Sequence, residues 1–179
     1  MSETYVQLVI REFKRLKSLA DGAIAQITDE QFFASPGSGD NSIAVLVKHV
    51  GGNLVSRWTD FLTSDGEKPG RDRDTEFRIG ADDTRKRLLQ LWTRGWTTLF
   101  EALEPLGDSD MARAVTIRGE PLTVLQAVNR QLTHYAYHVG QIIYVAKHHC
   151  GSEWRTLSVP LGRSAEFNRN PTRYIPKST

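Results

Sequence analysis

Residues 121–151 read PLTVLQAVNRQLTHYAYHVGQIIYVAKHHCG, and this stretch decides the fold. Leu122, Leu125, Leu132, Tyr135, Val139, Ile142 and Ala146 recur at helical spacing, so one face of a long helix is apolar. Pro121 suits a first helical turn, and Gly151 suits the position just past the last one. A helix of this length carries more apolar surface than it can cover by itself. It needs partners, and the rest of the chain supplies them.

Three further segments have the same period. Tyr5, Val9, Phe13, Leu16, Ala20, Ile24 and Ile27 form one stripe from about Thr4 to Ile27, with Glu12, Lys14, Arg15 and Lys17 off it. A second helix opens at Asp40, Asn41 and Ser42, all good N-caps, and buries Ile43, Leu46, Val47, Val50, Leu54, Trp58 and Phe61. A third begins near Asp82 and Asp83, whose charges suit a helix N-terminus, runs through Leu88, Leu91, Trp92, Leu99 and Leu103, and stops at Pro105 and Gly107. Four amphipathic helices in one chain predict an all-α fold, a four-helix bundle. Between the second and third lies the polar loop GEKPGRDRDTEFRIG, residues 66–80. ARAVTIRGEPLT, residues 112–123, holds a β-branched run and a turn, and reads as a short hairpin before the fourth helix. After Gly151 the period is lost. That irregular tail still carries Trp154, Leu157, Val159, Leu161, Phe167 and Tyr174, and is expected to fold back over the helices.

A length of 179 residues and a mass of 20.2 kDa suit a single domain over 1–179. Hydrophobic residues at 39% and charged residues at 25% fit neither a disordered chain nor a membrane protein. The charge is 23 basic minus 21 acidic residues, or +2, which provides no general field for a phosphate backbone. No nucleic-acid partner is expected. The lone Cys150 excludes an intramolecular disulfide and fits a reducing compartment. The opening MSETYVQLVIREFKRLKS mixes acid and base into its first apolar run, unlike a signal peptide, and no apolar run approaches the roughly 18 residues of a membrane span. A soluble, cytoplasmic protein without a membrane partner is the expectation.

The chemistry concentrates in THYAYHVGQ, residues 133–141. A four-residue separation puts His134 and His138 on one helix face, about 6 Å apart along the axis. That spacing lets both imidazoles reach one metal ion at about 2.0–2.1 Å. Such pairs also occur as surface residues or as core hydrogen-bonders. Here both lie at the edge of the apolar stripe, where a helix lines a cleft. The second helix brings another histidine, His49, in IAVLVKHVGGNL. Asn53, Gln131 and Gln141 sit one turn from the histidines and are candidates to orient ligands or substrate.

SIAVLVKH, residues 42–49, and HYAYHVGQII, residues 134–143, resemble the two signatures of the DinB/YfiT-like superfamily of metalloenzymes. The RDRDTEF loop and the VPLGRSAEFN tail resemble one uncharacterised branch of it. The resemblance spans all four helices. It implies a bundle with unusual helix topology, a divalent metal held by His49, His134 and His138, and a homodimer. Better-known relatives transfer or isomerise with low-molecular-weight thiols.

Other residues look functional and are read otherwise. His148 and His149 are neighbours on a helix and point about 100° apart, and eleven residues put His149 about 16 Å from His138. Cys150 reads as a helix-end residue rather than a nucleophile. Trp92, Trp96 and Phe100 read as core or a dimer face. Arg71, Asp72, Arg73, Asp74 and Glu76 read as solvated surface. No phosphate-binding loop, dinucleotide fingerprint, serine-hydrolase elbow or H-E-x-x-H motif is present.

The expected function is therefore a metal-dependent enzyme, thiol-transferase-like, in which the ion activates a thiol or a water. Zinc or nickel is the expected ion, and a small molecule, with a low-molecular-weight thiol as the candidate, the expected partner. The alternative is a metal-binding or dimeric stress-related protein without turnover.

Overall fold

The computed structural model describes residues 3–171. Four long helices carry it: α1 (Tyr5–Ile24), α3 (Ile43–Trp58), α5 (Arg85–Leu103) and α6 (Val124–Cys150). Three short helices lie between and after them: α2 (Asp29–Phe33), α4 (Arg73–Glu76) and α7 (Ser164–Arg169). Each long helix starts where a hydroxyl can take up an open backbone N–H: Thr4, Ser42, Thr84 and Thr123 are the N-caps. Gln7 and Gln126 return a hydrogen bond to their caps, completing capping boxes on α1 and α6.

One helix start differs from the sequence expectation. The third helix begins beside Asp82 and Asp83 as expected, with Thr84 as its cap, while the Asp83 carboxylate accepts from Gly80 N at 2.8 Å and from Lys48 Nζ at 2.7 Å. Pro121 does not open the fourth helix. It lies in β2 (Glu120–Thr123), paired antiparallel with β1 (Ala114–Ile117), and stands opposite Thr116. A two-stranded hairpin consists of edge strands only, where a proline's missing N–H is tolerated. The expected hairpin is thus present, and it takes the proline.

The helices meet at Phe13. Its ring lies 6.0 Å from Tyr135, 6.3 Å from Trp96 and 6.4 Å from Trp58, so α1, α6, α5 and α3 each contribute one aromatic ring. Trp92 and Trp96 are fully buried, and Phe100 packs against the same cluster, so the aromatic row on α5 is core. The pairs α3 with α5 and α1 with α6 are the most extensive contacts. α3 and α5 come close because each has a glycine at the crossing. A Cβ on Gly95 would sit 2.8 Å from Leu54 Cβ, and one on Gly51 would sit 2.9 Å from Leu91 Cγ.

Past Gly151 the chain folds back against α1 as expected, over part of its length. Trp154 and Leu157 pack on the core, and the Gln26 amide holds both Arg155 N and Arg155 O. Leu161 is exposed, and Tyr174 lies outside the described residues. Among the described residues no helix is long and apolar enough to cross a membrane.

Candidate metal centre

α3 and α6 lie side by side, and their middle turns bring His49, His134 and His138 together. One ring nitrogen from each lies within 4.8 Å of the others, and ring centroids are 4.7–5.5 Å apart. Spacing of four on α6 accounts for two members, and packing of α3 accounts for the third.

Two rings are fixed by acceptors. Glu76 Oε2 lies 2.8 Å from His49 Nδ1, and Gln141 Oε1 lies 2.8 Å from His138 Nδ1. A carboxylate and an amide carbonyl only accept, so each Nδ1–H donates, which in a neutral ring leaves the lone pair on Nε2. A histidine that gives one N–H to a carboxylate and turns its other nitrogen to a common centre is the usual arrangement around a bound metal. His134 Nδ1 is buried with no hydrogen-bond partner among the described residues. Burial pushes the His134 pKa down to about 3 and that of His138 to about 4, with neighbouring imidazoles adding to both shifts. Both rings are therefore neutral near pH 7, as ligands to a cation must be. Three imidazoles with converging nitrogens fit a divalent ion.

Glu76 is the residue that sequence reasoning assigned wrongly. It belongs to the mixed-charge loop taken as solvated surface, yet only 6% of it is exposed. Arg71 grips it twice, Nε to Oε1 and Nη2 to Oε2, both at 2.8 Å. Burial alone would raise the Glu76 carboxyl, but the His49 hydrogen bond and the Arg71 guanidinium outweigh it and hold its pKa below the usual range. Space for this carboxylate comes from Gly52, where a Cβ would stand 2.5 Å from Glu76 Oε1. The adjacent glycines thus do two jobs: Gly51 admits α5, and Gly52 admits Glu76. A histidine on an otherwise apolar helix stretch, followed by a glutamate in an Arg-rich loop, was the available signal.

The family model described as protein of unknown function (DUF1572) matches residues 1–163. The chain belongs to this family. Among proteins with curated descriptions none matches. A crystal structure titled as the conserved protein of locus from Enterococcus faecalis is similar over 84% of this chain and 100% of that one, with a TM-score of 0.65 and 14% identity. At that identity the likeness shows the fold alone.

In this DUF1572 chain a cavity of about 510 Å³ opens beside the histidines, with Asn53, Gln131, Phe77 and Tyr137 among its walls. The three amides expected near the site have different roles. Gln141 orients His138. Asn53 is buried and accepts from Tyr135 Oη at 3.0 Å, while Trp58 Nε1 donates to that same hydroxyl. Gln131 is buried in the wall, and its Oε1 has no partner among the described residues. The other cluster is separate, as its spacing requires: His149 Nε2 bonds Ala34 O, and Cys150 Sγ bonds Gln26 O at the end of α6. No residue of the described tail lines the cleft.

Proposed function

We propose that His49, His134 and His138 hold a divalent metal ion, zinc or nickel, in a metal-dependent enzyme that acts on a small molecule and is transferase-like in its chemistry. The observation that carries this reading is the convergence of three imidazole nitrogens within 4.8 Å, two of the rings held by Glu76 and Gln141, at the wall of a cavity of small-molecule size. The DinB/YfiT-like signatures on α3 and α6, and four long helices around a shared aromatic centre, support a bundle of that superfamily as one domain over 1–179. A divalent ion at an open position would supply Lewis acidity, lowering the pKa of a thiol or a water.

The chain's own residues limit what else takes part. Among the described residues no carboxylate lines the cleft, so none of their Asp or Glu side chains stands ready there as a general base. Asn53 and Gln131 do not titrate, and they serve to position. Phe77 and Tyr137 lie beside His49 and His138, with ring centroids 4.6 and 4.3 Å apart, and give the site an apolar flank. A nucleophile acidic enough to need no protein base suits such a site, which favours a thiol over water. The lone cysteine, and the reducing compartment it suggests, agree with that choice. A homodimer, implied by the same resemblance, is tested by light scattering.

The function is tested with protein purified without a histidine tag. Elemental analysis should find a divalent metal, and metal-loaded protein should accelerate conjugation of small thiols to electrophiles. The His138→Ala variant is the control. Equal rates for the two proteins across a broad panel would put the non-catalytic metal-binding reading ahead.

A further inference from the structure

The metal reading does not explain why the histidine cleft is walled by arginine. Arg57, Arg71, Arg73, Arg118 and Arg130 all line it, and among the described residues no Asp or Glu does. They come from α3, the following loop, α4, the hairpin turn and α6, so no single helix face put them together. Behind them the carboxylates are too few. Glu67 is shared by Arg57 at 2.8 Å and by Arg71 and Arg118 at 3.2 Å each, and Glu76 is taken by Arg71 and His49. Arg73 has no carboxylate partner among the described residues and leans on the Phe77 ring at 4.9 Å. Arg130 reaches Glu120 at 3.7 Å, an exposed contact that neutralises little.

Two details of this wall stand out. Arg57 is 6% exposed, yet its Nε has no hydrogen-bond partner among the described residues. A buried guanidinium N–H left open is costly unless something else accepts from it. Arg118 occupies the left-handed region at φ 56° in the hairpin turn, a conformation that Gly or Asn adopts more readily. Asp65 clamps it there, accepting from Arg118 N and Gly119 N at 2.8 Å each. A long cationic side chain held at such a position marks use of that side chain.

We infer that the cleft binds a small anion: the molecule acted on at the histidine centre carries a carboxylate or phosphate group, received by Arg73, Arg118 and Arg130, with the Arg57 charge behind them in the wall. A planar fork of N–H groups matches these oxyanions in geometry as well as charge. The cavity of about 510 Å³ fits a metabolite-sized ligand rather than a polymer. This inference rests on the proposed function only for what the other end of the ligand meets, since the anion needs no metal to be held.

The test is calorimetric titration of full-length protein, zinc-loaded and chelator-treated, at low ionic strength. The probes are inorganic phosphate and succinate, with uncharged succinamide as control. Phosphate or succinate should bind and succinamide should not; which of the two anions binds more tightly separates the phosphate and carboxylate sources. The Arg73→Gln/Arg130→Gln variant should bind the anion about tenfold more weakly or worse, with its zinc content unchanged. Arg118→Asn should also weaken anion binding while its Tm stays level or rises, because Asn tolerates the turn. Anion affinity unchanged in both variants, or succinamide binding as tightly as succinate, overturns the inference. Protein that takes no zinc yet binds anions through these arginines upholds it and removes the metal reading. Zinc binding with no anion binding does the reverse.

Discussion

The middle and the end of α6 carry the same residue type and do different things with it. At the middle, His134 and His138 face His49, and their nitrogens converge. At the end, His149 bonds the Ala34 carbonyl, while the Gln31 amide bonds the His149 carbonyl, so that histidine ties α6 to α2. What packs opposite makes the difference. A ring nitrogen that meets a carbonyl is saturated within the protein, whereas nitrogens that meet one another leave lone pairs for a cation.

The largest expected effect separates the two ends by metal affinity. His49→Ala or His138→Ala should lower zinc affinity by more than about a hundredfold, beyond the loss typical of a supporting residue, while His149→Ala should leave it unchanged. Competition with a chromogenic chelator measures this, and tight binding by His49→Ala would break the triad. Glu76→Gln comes next. It keeps the shape but removes the charge that Arg71 and His49 face, and should lower zinc affinity by about ten- to a hundredfold. Because one partner of a buried ion pair is lost, stability should fall by about 3 kcal/mol, read from urea unfolding. Wild-type affinity in that variant would mean that the carboxylate does not orient the ring.

A smaller effect is pH dependence of the metal-free protein. In the folded state His134 and His138 protonate near 3 and 4, whereas an unfolded histidine protonates near 6.5. Between these values the unfolded chain binds more protons, so stability falls as pH is lowered from about 6.5 through 4 towards 3. The urea midpoint with chelator present should therefore be lower at pH 5 than at pH 7. A His134→Phe/His138→Phe protein should lose most of that slope, and an unchanged slope would place its origin elsewhere. The smallest effect belongs to the far end of α6. His149→Ala removes one hydrogen bond to a backbone carbonyl and should cost about 1 kcal/mol.

The sequence by itself determined the long helices and half of the site. Periodicity is a local property of the chain, so the stripes on α1, α3, α5 and α6 were legible from apolar spacing alone. His134 and His138 shared a face because a helix allows nothing else at a separation of four. The exclusion of His148 and His149 followed from the same geometry. The caps were partly legible: Ser42 was read as a cap and Asp82 and Asp83 marked the third start, but Pro121 was read as the opening of the fourth helix, which Thr123 caps once the hairpin has taken the proline. Tertiary structure alone decided that His49 faces the α6 pair, that Glu76 and Arg71 form a buried pair beside it, and that five arginines share one wall. Residues 66–80 have no period, so their sequence does not say what covers them. Whether a charged side chain is solvated or buried against an opposite charge depends on the surfaces around it, and these exist only once α3, α4, the hairpin and α6 have packed.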